Sequence, residues 1–243
     1  MTMSEFRILP VGDLALVVEF GNEISPSCND KVRRLNQCFK RQDIPGIIET
    51  VPTYRSLLIY YDPLKLSYKK LCRYIKAFFG AGPETGAYHK KRIEIPVCYG
   101  GRYGEDLADV AQHVGMSEAE VISLHSGTDY LIYMMGFLPG FPYLGGMDGR
   151  LKTPRLPNPR TAIPAGSVGI GGEQTGVYPI ASPGGWRLIG RTPLKLYDSR
   201  NEKPTLYQTG DYVRFQPVDE TEYTRIEELV KLGQYQCRIE TMN

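Results

Sequence analysis

Between residues 136 and 193 the chain carries three stretches too dense in glycine and proline to hold a long helix. They are Gly136-Phe-Leu-Pro-Gly-Phe-Pro-Tyr-Leu-Gly-Gly146, Ile163-Pro-Ala-Gly-Ser-Val-Gly-Ile-Gly-Gly172 and Ser182-Pro-Gly-Gly-Trp-Arg-Leu-Ile-Gly-Arg-Thr-Pro193. Glycine admits positive φ and close backbone approach, whereas proline fixes φ and removes a donor. Short apolar runs alternate with these clusters from Tyr130 through Asp211-Tyr-Val-Arg-Phe215. That texture predicts a compact β-barrel or sandwich. Phe137, Phe141, Tyr143, Tyr178 and Trp186 are interleaved with the turn residues, which suggests rigid, aromatic-lined loops meeting at one end of the barrel.

The first hundred residues have a different rhythm. A β-rich run covers 15–20, and Ser25 then precedes Pro26 as an N-cap before a first-turn proline. Val32, Leu35, Cys38 and Phe39 follow at helical spacing. Strand-like runs at 46–51 and 55–61 come next, then a helix opened by Ser67 with Leu71, Tyr74, Ile75 and Phe78 on one face and Gly80 at its end. A strand at 92–98 completes the order βαββαβ, the ferredoxin-like arrangement. Short helices are expected at 106–114 and 118–125, the second with a Ser117/Glu120 capping box. A last helix spans 222–232, and a closing strand lies near 236–240. The expected class is α+β, with a ferredoxin-like domain at 1–90 and a β-barrel domain at 91–243.

Several functions are disfavoured early. A formal net charge of +2 over 243 residues is too small for nucleic-acid binding by a global basic field. The five cysteines form no C-x-x-C pair, and no histidine stands at a ligand spacing from them, so neither a disulfide framework nor a zinc or other metal site is expected. The run 14–18 is too short for a signal peptide or membrane span. A cytoplasmic protein that does not work at a membrane is expected.

Charge is uneven along the chain. Between Gly136 and Pro193 there are six cations, Arg150, Lys152, Arg155, Arg160, Arg187 and Arg191, against Asp148 and Glu173, a local excess of +4. Arginines beside aromatic loops suit a carboxylate or phosphate ligand, because the guanidinium fork binds such groups in pairs of hydrogen bonds. No phosphate-binding G-x-x-x-x-G-K-[ST] motif occurs. Ala165-Gly-Ser167-Val-Gly169 departs from a nucleophile elbow at its first position. His89, His113 and His125 form no triad by spacing. Of these, His125 sits at a helix end just before the barrel, where a histidine favours the helix dipole.

The Gly136–Gly146 block, Pro154-Arg155, Pro159-Arg160, Pro164-Ala-Gly-Ser-Val168, Gln174-Thr-Gly176 and Ser182-Pro-Gly-Gly-Trp186 through Pro193 together resemble a known family. It is the family of KipI, the B component of 5-oxoprolinase and allophanate hydrolase subunit 1. Gly12-Asp13, His125 and Asp211-x-Val-Arg-Phe215 match as well, while Leu156 stands where a second arginine is expected. The resemblance covers nearly the whole chain and implies a ferredoxin-like domain followed by a cyclophilin-like β-barrel.

It also implies a shared enzyme: one subunit of ATP-dependent 5-oxoprolinase, inactive alone, working with a cyclophilin-like companion (the C component) and a separate A component. The complex would use ATP with magnesium, neither held tightly by this chain, to open the lactam of 5-oxoproline to glutamate. On this reading Arg155 or Arg160 holds the substrate anion, with Gln174, Thr175 and Tyr178 beside it and His125 as the catalytic residue. Phe137, Phe141, Tyr143 and Trp186 would face the partner, since rigid apolar groups favour an interface. The alternative implied by the same family is a regulatory inhibitor that binds a sensor histidine kinase.

Overall fold

The computed structural model describes residues 6–80, 90–136 and 138–242, so Phe137 and His89 lie outside the described residues. The chain divides into two compact units, Met1–Tyr88 and His89–Asn243. The first contains β1 (Arg7–Val11), β2 (Ala15–Glu19), α1 (Pro26–Gln42), β3 (Ile47–Pro52), β4 (Ser56–Tyr61) and α2 (Tyr68–Gly80). Its sheet runs β1-β2-β4-β3, antiparallel throughout.

Period-two burial decides which sheet face is covered. Leu16 and Val18 of β2 and Leu57 and Ile59 of β4 point into one core with Val32, Leu35 and Phe39 of α1 and Leu71 and Ile75 of α2. Each such side chain contributes about 1.5–3 kcal/mol on burial. Ser25 caps α1 by accepting from the Cys28 backbone N–H, as the Ser25-Pro26 pair predicts.

The expected βαββαβ order needs one correction. The strand predicted at 92–98 belongs to the second unit, and the first unit's outer position is filled by β1, which precedes β2 in a hairpin. Pro10 explains the place of β1: proline cannot donate into a ladder, so a strand containing it sits at a sheet edge.

The second unit contains β5 (Lys90–Tyr99), α3 (Leu107–Val114), α4 (Glu118–Ser126), β6 (Tyr130–Met135), β7 (Pro142–Gly145), β8 (Arg160–Ile163), β9 (Ser167–Gly171), β10 (Gln174–Val177), β11 (Ser182–Gly184), β12 (Arg187–Arg191), β13 (Tyr212–Pro217), α5 (Glu220–Lys231) and β14 (Ile239–Met242). The main sheet runs β10-β9-β12-β5-β13-β6-β7, with β14 also paired to β5. Its end strands β10 and β7 come together: a Cβ on Gly176 would lie 3.5 Å from the Pro142 carbonyl oxygen. The result is a mixed α/β unit around a nearly closed, barrel-like sheet. β8 and β11 form a separate two-stranded ribbon with a register shift.

The barrel core gathers Ile93, Ile95 and Val97 of β5 with Ile132, Val168, Ile189 and Phe215, all fully buried. The Ser117/Glu120 capping box forms as predicted. The last helix starts two residues earlier than its apolar pattern suggests, because Asp219 caps it by accepting from the Glu222 N–H.

Candidate functional site

Beside the barrel, Phe141, Tyr178 and Trp186 pack with Ile163 and Leu188 into a small separate core, with Leu138 and Tyr143 against it. The rings meet edge to face: Phe141–Tyr178 at 5.4 Å, Phe141–Trp186 at 5.7 Å and Tyr178–Trp186 at 6.1 Å between centroids. Such pairs add about 0.5–1.5 kcal/mol each beyond area burial. Glycines make room for them. A Cβ on Gly171 would stand 2.5 Å from Trp186 Cδ1, and one on Gly184 would stand 2.6 Å from the Tyr178 hydroxyl. These glycines are therefore required by ring packing.

The rings form the floor and walls of a cleft of about 330 Å³, completed by Leu138, Tyr143, Arg155 and the segment 182–185. Arg155 lies on its rim, with its guanidinium carbon 5.9 Å from the centre of the Trp186 ring. Its Nη2 donates to Gln174 Oε1 at 3.4 Å. Burial raises the Tyr178 phenol above its ordinary value, while Arg155 acts in the opposite direction. Tyr178 is therefore a neutral hydroxyl at physiological pH.

The +4 excess largely disappears once the fold brings in acids from elsewhere. Arg150 pairs with Asp148, and Lys152 with Glu173, the two acids already counted within the segment. Arg160 pairs with Asp106 at 2.8 Å and Glu105 at 3.1 Å, and Arg187 with Asp109 at 3.2 Å. Among the described residues only Arg155 and Arg191 of the six have no acidic partner. The expectation that Arg160 holds a substrate anion is corrected on this ground. Its guanidinium also donates to the Trp186 carbonyl, and the second oxygen of the buried Asp106 carboxylate accepts from the Leu188 N–H at 2.6 Å. Arg160 is a clamp beneath the cleft.

His125 and Thr175 are corrected as well. His125 is completely buried, stacked on Phe215 with 4.8 Å between ring centroids. Thr175 donates its hydroxyl to the Gly169 carbonyl at 3.0 Å and meets His125 Nε2 at 2.7 Å. A hydroxyl has one proton, so Nε2 carries the hydrogen, and Nδ1 accepts from the Tyr99 hydroxyl at 2.8 Å. Burial lowers the imidazole to about 3, so the ring is neutral and offers no charge to the helix end. A histidine enclosed by Tyr99, Thr175 and Phe215 is a structural crosslink, not a base facing substrate.

The remaining expected residues divide. Arg155 and Tyr178 line the cleft, and Gln174 orients Arg155. Phe141 and Trp186 are buried as walls, so they do not present the protruding apolar patch expected for a partner, whereas Tyr143 is half-buried. Sequence reasoning missed Tyr99, which fixes the imidazole, and Ser182, which lines the cleft. A usable signal for His125 was its spacing of four from Val121, which places both on the inward face of α4.

The family described as carboxyltransferase domain, subdomain C and D, matches residues 6–207. The chain is 43% identical over 229 residues to the B component of 5-oxoprolinase from Bacillus subtilis, covering 90% of this chain and 95% of that one. It is 42% identical over 222 residues to the corresponding 5-oxoprolinase component of Escherichia coli O157:H7, covering 90% and 99%. Among solved structures, TTHA0988 superposes with a TM-score of 0.76 at 39% identity, over 84% of this chain and 40% of that one. This chain thus spans about two fifths of that solved polypeptide.

Proposed function

The chain belongs to the carboxyltransferase domain C and D family, and from that premise we propose that it is the B component of an ATP-dependent 5-oxoprolinase. The observation that carries the reading is the near end-to-end match, at 43% identity, to the Bacillus subtilis protein of that name. The finer fold reading accompanies it: a ferredoxin-like first unit whose edge strand is supplied by β1, then a cyclophilin-like barrel. The working enzyme is a cytoplasmic complex of this chain with a cyclophilin-like C component and an A component, and this chain has no turnover alone.

The reaction opens the lactam of 5-oxoproline with ATP and water, giving glutamate, ADP and phosphate. An amide is a weak electrophile, and ATP supplies the activation. Among the described residues no group of three or more His, Cys, Asp or Glu is gathered to hold a metal ion. The aromatic cleft offers one guanidinium, two phenols and a serine hydroxyl, a donor set with a single cation that fits a single carboxylate better than a triphosphate with magnesium. ATP with its magnesium is assigned to the assembled complex.

What this chain supplies is binding and orientation. Arg155 holds the 5-oxoproline carboxylate, its rim position kept by Gln174 and the Trp186 ring face. Tyr178 and Ser182 face the polar edge of the ring, and Phe141 and Trp186 exclude water from it. The cleft lip at Leu138 and Tyr143 meets the cyclophilin-like companion.

The test is reconstitution of the three components with Arg155→Gln, with assembly checked by size exclusion. Losing one charge-assisted contact, worth about 1.5–3 kcal/mol, raises the KM for 5-oxoproline roughly tenfold to a hundredfold. An unchanged KM in an intact complex overturns the assignment of the carboxylate to Arg155. ATP-dependent turnover by this chain alone overturns the shared-enzyme reading.

A further inference from the structure

A second cleft, of about 320 Å³, is lined by Arg102, Tyr103, Arg191, Tyr223, Thr224 and Glu227. Its lining contains no aliphatic side chain. Arg191, at the end of β12, has its Nε buried without a hydrogen-bond partner, and its guanidinium pairs with no acid among the described residues. A buried cationic nitrogen left unpaired is unfavourable in a protein interior, so such groups are found with water or a counter-ion. The other guanidinium is oriented in advance. Arg102 lies 4.8 Å from the centre of the Tyr103 ring, donates to the Tyr103 hydroxyl at 2.9 Å and reaches Glu220 at 2.9 Å. The Tyr103 and Tyr223 rings pack at 4.3 Å. Burial pushes the Tyr223 phenol up to about 12, against the opposing effect of Arg191, so it remains a donor at neutral pH. Glu227, the one acid in the lining, is tied to Lys231 at 2.6 Å.

We infer that this cleft is an anion site that takes a phosphate group on Arg191, Arg102 and Tyr223. Donors that converge from a strand, a 3-10 turn and α5 suit a tetrahedral oxyanion, whereas a planar carboxylate is satisfied by one guanidinium fork. Apart from the two tyrosine rings the lining is polar or charged, in contrast to the aromatic cleft, where Leu138, Phe141 and Trp186 would wall in an organic body. The site is independent of the proposed function, because it belongs to the isolated chain and uses residues that function does not.

The experiment is calorimetric titration of the full chain with inorganic phosphate, with sulfate as competitor and with ATP and acetate in separate arms. Phosphate is expected to give a saturable isotherm that sulfate competes away. Arg191→Gln should weaken it at least tenfold, and Arg155→Gln should leave it unchanged. Because Arg191 lies within the sheet, circular dichroism checks the fold of that variant. Arg102→Gln, on an exposed side chain, provides a second variant expected to weaken binding severalfold. ATP that binds more tightly than phosphate and with the same dependence on Arg191 identifies the source as a nucleotide phosphoryl group; phosphate binding without ATP binding identifies free phosphate. Each supports the site. Absence of a saturable phosphate isotherm, an isotherm indifferent to both arginine variants, or acetate binding in place of phosphate overturns it. So does loss of co-purification with the cyclophilin-like companion by Arg191→Gln in a chain that binds no phosphate, which makes the cleft a protein interface.

Discussion

The two clefts of the second unit are of nearly equal volume, about 330 and 320 Å³, and each contains an arginine with no acidic partner among the described residues. Their surroundings differ. Arg155 is exposed on a rim above three interlocked rings, whereas Arg191 has its Nε buried and shares its cleft with two tyrosines and a second guanidinium. An arginine beside aromatic walls recognises a charged end attached to an organic body. An arginine among polar donors recognises a compact ion. Local charge counts thus mean little until the fold has paired the charges, and the wall beside an unpaired arginine then decides its ligand.

The comparison breaks most readily at the rings. Trp186→Ala removes the side chain shared by the floor of the aromatic cleft and its small core, and a loss of about 3–5 kcal/mol is expected by urea denaturation. Phosphate titration of whatever folded fraction remains should be unaffected. A loss below about 1 kcal/mol would show that the ring cluster is not a core.

Acid should act next, through His125, whose partner Thr175 stands on β10 between Gln174 and Gly176, behind the aromatic cleft. The folded imidazole titrates at about 3 against an ordinary value of 6.5. Between those values the unfolded chain takes up a proton that the folded chain refuses. The stability contribution is therefore complete above pH 6.5 and is lost as pH falls toward 3. From about pH 7 to 4.5 linkage gives a loss of about 2.5 kcal/mol from the imidazole alone, to which the carboxyls of Glu120, Glu173 and Glu222, held below their ordinary value by hydrogen bonds, add at the acid end. Urea midpoints that stay flat across that range would place the imidazole in contact with water.

Two arginine variants sharpen the contrast at smaller scale. Arg160→Gln leaves the buried Asp106 carboxylate with its Leu188 N–H but without its cation. The expected loss is about 1.5–2 kcal/mol, discounted for the partial exposure of the arginine. Arg155→Gln should change stability by no more than about 0.5 kcal/mol, as at other exposed positions. Equal losses for the two, measured by thermal or urea unfolding, would erase the distinction between clamp and ligand arginine.

Elements with strong local signals were legible in the sequence. Ser25-Pro26 opens α1, and Ser117 with Glu120 caps α4, because such motifs act within one turn. The Gly/Pro texture correctly marked the short strands after Tyr130. What escaped was long-range pairing. The strand at 92–98 could be assigned to either sheet until its partners β12, β13 and β14 were known, and Pro10 concealed an edge strand. The site was legible to a similar degree. Its aromatic residues and Arg155 were marked, but the acids that neutralise Arg160 and Arg187 lie some fifty to eighty residues upstream, outside any local window. His125 had a polar reading along the chain and an apolar one across the helix, and burial decided between them.

The pairing of β5 bears on how the protein is made. In the first unit β1 meets β2 across a three-residue loop, so its hairpin is available as soon as it leaves the ribosome. β5 opens the second unit but takes a parallel partner from 212–217 and an antiparallel one from 239–242. Its Cys98–Tyr99 end can pair once β12 has been made, but for more than a hundred residues of synthesis the stretch from Arg92 to Val97 awaits β13. At roughly 5–20 residues per second that interval lasts on the order of ten seconds. During this time the first unit, whose strands and helices all lie before residue 81, can fold, while β5 still lacks its parallel neighbour.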